Sequence, residues 1–199
     1  MAGDVTVKID DARVKAALDR VRLALPLGGQ MLPLMQNIGR VLRTGAQLRF
    51  RSTTGPDGKA WEKSFRAKTE GGQTLSLTRR LRNSITTEAT NTSVAVGTNV
   101  LYAAVHQFGG VIRAKKGPFL SIPVTPAARA AGSPRNMQGL HVAQTLKGQF
   151  ILVDEKGITQ FLLRQQVTIP ARPFLGASEA DNTEMVSAGA RFFNSRWSG

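Results

Sequence analysis

The sequence predicts an α+β fold: a small mixed or antiparallel β-sheet packed with a long amphipathic helix and a C-terminal helix, plus an inserted loop and hairpin region. Three observations carry this expectation. Residues 33–52 repeat apolar positions at helical spacing; a capping pattern at 178–181 opens a second apolar stripe; and short runs of β-forming residues between them are bounded by turn residues. A length of 199 residues with 41% hydrophobic content suffices for a single domain spanning 1–199, with 111–166 as an extended insertion that exposes a loop around 125–140.

Taken in order, Val5, Val7 and Ile9 alternate with polar residues and read as a short strand. A helix is expected over 11–25, with Val14, Leu18, Val21 and Leu25 in one stripe, Pro26 as a stop and 26–30 as a link. Within 33–52, Leu34, Ile38, Val41, Leu42, Gly45 and Leu48 share one face, while Arg40, Arg43, Gln47 and Arg51 share the opposite one. Arg49 projects near the apolar side, which suggests that the last turn leaves the core or meets a partner. Residues 54–58, Thr-Gly-Pro-Asp-Gly, form a turn in which proline presets φ and glycine permits a positive φ. The basic, glycine-interrupted stretch 59–74 reads as a mobile loop. A short helix near 77–83 leads into a hairpin of 85–89 and 93–97, joined through Thr90-Asn91-Thr92. Residues 101–108 have helical spacing and stop at Gly109-Gly110. A strand at 119–124 precedes a small-residue excursion, and a second hairpin of 150–153 and 158–163 turns at Asp154-Glu155-Lys156-Gly157 and runs on through Val167 and Ile169 to Pro170. Ser178 or Asp181 caps a terminal helix bearing Met185, Gly189, Phe192 and Phe193, with Trp197 near its end.

Composition narrows the chemistry. With no cysteine, disulfides, thiolate metal sites and cysteine nucleophiles are excluded together. His106 and His141 lie 35 residues apart without a neighbouring carboxylate motif, and no phosphate-binding glycine loop or nucleophile elbow occurs. The expectation is therefore a protein that is not an enzyme and uses no cofactor or metal. There is no signal-peptide pattern and no apolar run of spanning length, so a soluble protein made in the cytosol, without membrane contact, is expected. The unusual feature is charge. The net is +14, and +8 of it falls within 40–82. Arg40, Arg43, Arg51, Lys59, Lys63, Arg66, Lys68, Arg79, Arg80 and Arg82 are candidates to face DNA or an acidic partner. Trp61 and Phe65 interleave with them, too few aromatics for stacking on single strands, and no base-reading motif is present. A solvated face whose aliphatic stems cover apolar surface competes with that reading.

Three clusters stand in a recognisable order: Thr54-Gly55-Pro56-Asp57-Gly58 with Trp61; Val96-Gly97-Thr98-Asn99 with Tyr102-Ala103 and His106-Gln107-Phe108-Gly109-Gly110; and Ile169-Pro170-Ala171-Arg172-Pro173-Phe174-Leu175-Gly176. Together, from about Leu34 to the C-terminal helix, they resemble the phage virion morphogenesis family of tail-completion proteins. The chain departs from the family's Thr-Gly-x-Leu step, having Thr78-Arg79-Arg80-Leu81 there, and its stretch between Val111 and Gln166 is longer than in compact members.

The resemblance implies a structural virion protein of the head-tail junction, a tail-completion or neck subunit that completes tails or joins them to heads. It also implies a homo-oligomeric ring, six- or twelve-fold, next to neck, tail-terminator or tail-tube proteins, at the virion neck after assembly in the host cytoplasm. Non-specific contact with genomic DNA in the channel is compatible with it, and the alternative is a non-specific DNA-binding protein acting through 40–82. Trp61, Tyr102, His106, Phe108, Arg172, Phe174 and Leu175 are the candidate interface residues. Phe174 and Leu175 read equally as core, Trp61 reads as core ahead of interface, and His106 as a satisfied core or interface histidine.

Overall fold

The periodic segment becomes helix α1 (Leu32–Ser52), which places Pro33 in its first turn, where a missing N–H costs nothing, and ends at Thr53 in a left-handed conformation. The computed structural model describes residues 5–7, 31–115 and 117–197; Ile9, the helix expected over 11–25 and the link at 26–30 lie outside them. The chain divides into two units, one of residues 1–109 with 170–199 and the other of 110–169.

In the first unit β1 (Val5–Val7), β2 (Thr86–Ala89) and β3 (Val94–Thr98) form an antiparallel sheet in the order β1-β3-β2. The hairpin register runs from Thr86 opposite Gly97 to Ala89 opposite Val94. Its turn is held by Thr90 Oγ1, which accepts from the N–H groups of Thr92 (3.2 Å) and Ser93 (3.0 Å). Helix α1 packs on β2 and β3 and against the terminal helix, numbered α6 below (Glu179–Trp197). Leu34, Met35, Ile38, Leu42, Ala46 and Phe50 are its buried residues in the core, with Leu81, Ile85, Val96, Val100, Ala103, Phe174, Leu175 and Met185. The buried face is thus rotated from the one expected, and Leu48 is 51% exposed. Phe50 decides the rotation, because its ring packs 5.5 Å from Trp61 and 5.3 Å from Phe174.

Arg49 neither leaves the core nor reaches out of the chain. It is buried, and its guanidinium pairs with Asp181 of α6 and donates to Phe174 O at 3.2 Å. Asp181 also completes a cap: Ser178 Oγ accepts from Asp181 N (3.2 Å), while Asp181 Oδ2 accepts from Ser178 N (2.9 Å). Gly45 is what lets the two helices meet here, since a Cβ at that position would lie 2.1 Å from Asp181 Oδ1.

The stretch 59–74 is built rather than open, which corrects the expected mobile loop. It contains α2 (Phe65–Thr69), capped by Ser64 Oγ, which accepts from Ala67 N at 3.3 Å. Thr74 is buried and accepts from Ser64 N at 3.2 Å, and Arg66 closes the loop on the carbonyls of Gly71 (3.0 Å) and Gln73 (2.5 Å). The short helices α3 (Arg80–Asn83) and α4 (Ala103–Phe108) follow, the second ending at Gly109.

The second unit holds two antiparallel sheets. β4 (Gly110–Arg113) pairs with β9 (Gln166–Ile169), and β5 (Leu120–Pro123), β6 (His141–Gln144), β7 (Phe150–Val153) and β8 (Thr159–Arg164) form a sheet in the order β5-β8-β7-β6. The strand expected to run on to Pro170 breaks at Gln165, so β8 and β9 belong to different sheets. Asp154 makes the β7-β8 turn by accepting from Lys156 N (3.0 Å) and Ile158 N (2.9 Å). Around 125–140 the chain forms α5 (Pro126–Ala131), capped by Thr125 and burying Ala128 completely, and then a 3-10 turn, Pro134–Asn136. The described strands therefore make three antiparallel sheets in place of one.

Removing one partner of a buried ion pair strands the other charge. Asp181→Ala is expected to lower the unfolding free energy by about 3–5 kcal/mol, its cap loss included, as read by urea denaturation. Joint replacement, Arg49→Met with Asp181→Ala, should recover part of that loss.

Candidate functional site

The three sequence clusters meet in the first unit around an extended segment, 170–176. Pro170 and Pro173 carry no N–H, so this segment has no sheet ladder to join, and its buried polar groups are met by side chains instead. Gln107 is the main one. Its Oε1 accepts from Phe174 N and Leu175 N, both at 3.0 Å, and its Nε2 donates to Leu175 O at 3.0 Å. Trp61 Nε1 donates to Pro173 O (3.1 Å), and Arg49 supplies the bond to Phe174 O. The backbone N–H of Arg172 donates to His106 O at 2.6 Å. Gly176, at φ 146°, passes so close to Pro56 that a Cβ would lie 2.7 Å from its Cγ.

These contacts sort the candidate interface residues. Trp61, Arg172, Phe174 and Leu175 are buried within the unit and form its clasp. Tyr102 (41% exposed) and Phe108 (65%) face solvent on α4, beside Leu101 (71%), which the sequence did not single out. His106 is half-buried; its ring lies 5.8 Å from that of Tyr102, and its Nδ1 is buried without a hydrogen-bond partner. Burial, and to a lesser degree the charge of Arg172, pulls the His106 pKa below its ordinary value. Arg172 donates Nε to Glu62 O at 2.7 Å, and burial lowers its pKa against the opposing carboxylate of Glu62. Gln107, Arg49 and the reciprocal role of Asp181 were missed as site residues, although the polar Gln107 among apolar neighbours and Arg49 on an apolar face are the signals that mark them.

The basic candidates do not form one uniform surface. Arg66 is consumed by its own loop, Lys59 pairs with Asp57 (3.4 Å), Lys68 with Glu62 (3.0 Å), and Arg40 donates to Asn37 (2.7 Å). The side chain of Lys63 is exposed and without a partner among the described residues, as are those of Arg43, Arg51, Arg79 and Arg80; Arg82 is half-buried, with Nε 3.3 Å from Asn83 Oδ1. Arg79 holds the left-handed conformation at φ 58°. Among the described residues no group of three or more histidines and carboxylates lies together to hold a metal, and no helix is long and apolar enough to cross a membrane.

The model of the phage virion morphogenesis family matches residues 9–139. That match starts ahead of Leu34 and ends before the third cluster, which the structure nevertheless ties to the first two. The Mu-like prophage FluMu G protein 2 of Haemophilus influenzae is 34% identical over 123 residues, covering 61% of this chain and 81% of that protein. No solved structure matches the chain.

Two measurements test the clasp. Gln107→Leu leaves two buried N–H groups and a carbonyl unmet and is expected to cost about 2–4 kcal/mol in urea unfolding. Because the folded pKa of His106 lies below its unfolded value near 6.5, the unfolded state binds the proton first. Stability should therefore fall as the pH drops from about 6.5 toward the folded pKa, and His106→Gln should flatten that part of the stability curve.

Proposed function

Since the chain belongs to the phage virion morphogenesis family, and so has a role in building the virion, we propose that it acts at the head-tail junction as a tail-completion or neck subunit of a homo-oligomeric ring. The observation that carries this reading is the contrast on one short helix. Gln107 is locked into the clasp while Tyr102 and Phe108, with Leu101, are held out in solvent. A rigidly anchored helix that exposes aromatic and aliphatic side chains suits the centre of a subunit contact, where such residues are enriched. A ring needs heterologous contacts of this kind that close on themselves. The clasp residues Trp61, Arg172, Phe174 and Leu175 then act at one remove, by setting the position of α4. The seven candidate interface residues thus divide into a presenting pair, Tyr102 and Phe108, and a supporting set that includes His106. The neighbours in this reading are further copies of the chain and the adjoining neck, tail-terminator or tail-tube proteins.

A phage lacking this protein is expected to accumulate filled heads and separate tails, visible by electron microscopy, and full joining in its absence would overturn the reading. In the complementing gene, Leu101→Asp with Phe108→Asp should lower the titre at least about 100-fold while the purified protein keeps its melting temperature. An unchanged titre would remove α4 from the interface.

A further inference from the structure

Helix α1 contains four arginines, Arg40, Arg43, Arg49 and Arg51, and no carboxylate, and residues 71–87 contain three arginines and no carboxylate either. The structure stitches these two acid-free segments together. Gln47 Nε2 donates to Arg82 O (3.4 Å), Gln73 Nε2 donates to Arg51 O (3.1 Å), and Ser76 Oγ donates to Phe50 O (3.4 Å). Arg43 and Arg51 lie one turn either side of Gln47, about 12 Å apart along the helix, and Arg79 and Arg80 open α3 beside them. All four are exposed and take no carboxylate partner among the described residues, unlike Lys59 and Lys68.

A solvated helix face ordinarily intersperses opposite charges, because like charges at close range repel. Here four arginines and no acid are brought to one flank, and a left-handed Arg79 is tolerated in the process. We infer that this flank is a docking surface for the phosphate backbone of duplex DNA, bound without regard to base sequence. The rim is polar, with Gln47, Gln73, Thr78 and Asn83, the residue types that contact phosphate oxygens. Nothing on it reads or stacks bases. A folded acidic protein would need an apolar centre to dock stably, and the described residues of these two segments expose only scattered large apolar side chains, Leu32, Leu48 and Leu77. The assignment goes beyond the placement at the head-tail junction and does not depend on it.

The test uses the full chain and a labelled 30-base-pair duplex of random sequence, with binding followed by fluorescence anisotropy from 50 to 200 mM salt. Four neutralised phosphates predict a log-log slope between about −3 and −4, hence a loss of roughly 100-fold in affinity across that range. Arg43→Gln with Arg51→Gln should reduce the slope by about 2. Arg79→Asn with Arg80→Gln should do the same, asparagine being chosen because it accepts the left-handed conformation. Lys59→Gln with Lys68→Gln should leave the slope within about half a unit. Each pair is read separately, with its fold checked by circular dichroism, so that failure of one variant to fold leaves the other to decide. A wild-type slope shallower than about −1, or slopes unmoved by both arginine pairs, overturns the inference. Tighter binding of polyglutamate than of a duplex of equal charge also overturns it, in favour of an acidic protein partner.

Discussion

The first unit depends on a backbone that cannot satisfy itself. Residues 173–175 belong to no helix or strand, with Phe174 and Leu175 buried, beside prolines that exclude a sheet ladder, so each buried N–H and carbonyl there must find a side chain. Gln107 answers three of these groups, Trp61 one and Arg49 one. An amide side chain suits the task, since it offers donor and acceptor in one plane as a neighbouring strand would. The requirement explains why polar residues stand at otherwise apolar positions of α1 and α4. It also fixes where α4 sits, because the helix that carries Gln107 cannot shift without breaking three bonds.

The same segment recruits the ion pair. Arg49 reaches Phe174 O with one nitrogen and Asp181 with another, and Asp181 closes the cap of α6. Burial opposes the charge on Arg49, and Asp181 supports it. One carboxylate thereby couples the entry of the last helix, the last turns of α1 and the clasp. This coupling makes the pair a device for positioning more than for net stability, because desolvation cancels much of its Coulombic gain.

Anchoring and presentation are divided by this arrangement. Buried members of the motif clusters spend their hydrogen bonds inside the unit, and the apolar residues left on α4 are exposed on a rigid base. The basic segment is divided in a similar way. Arg66, Lys59 and Lys68 are answered by local carbonyls and carboxylates, whereas Arg43 and Arg51 on α1 and Arg79 and Arg80 at the start of α3 are left with solvent.

The sequence by itself determined the α+β class, the long helix, both hairpins, the glycine stop after Phe108 and the Ser178-Asp181 cap, because each is a local matter of periodicity, turn chemistry or end capping. The three clusters also marked the family. Rotation of α1, the burial of Arg49 and the bonding of Gln107 were decided only in three dimensions, since their partners lie 125, 132 and 67 residues or more away in the chain. The stretch 59–74 looked open because its glycines and charges resemble a loop; Thr74 and Arg66 organise it by satisfying backbone groups that only the folded chain brings into reach. Local physics wrote the elements, and the need to satisfy one proline-flanked segment with buried backbone groups chose how they fit together.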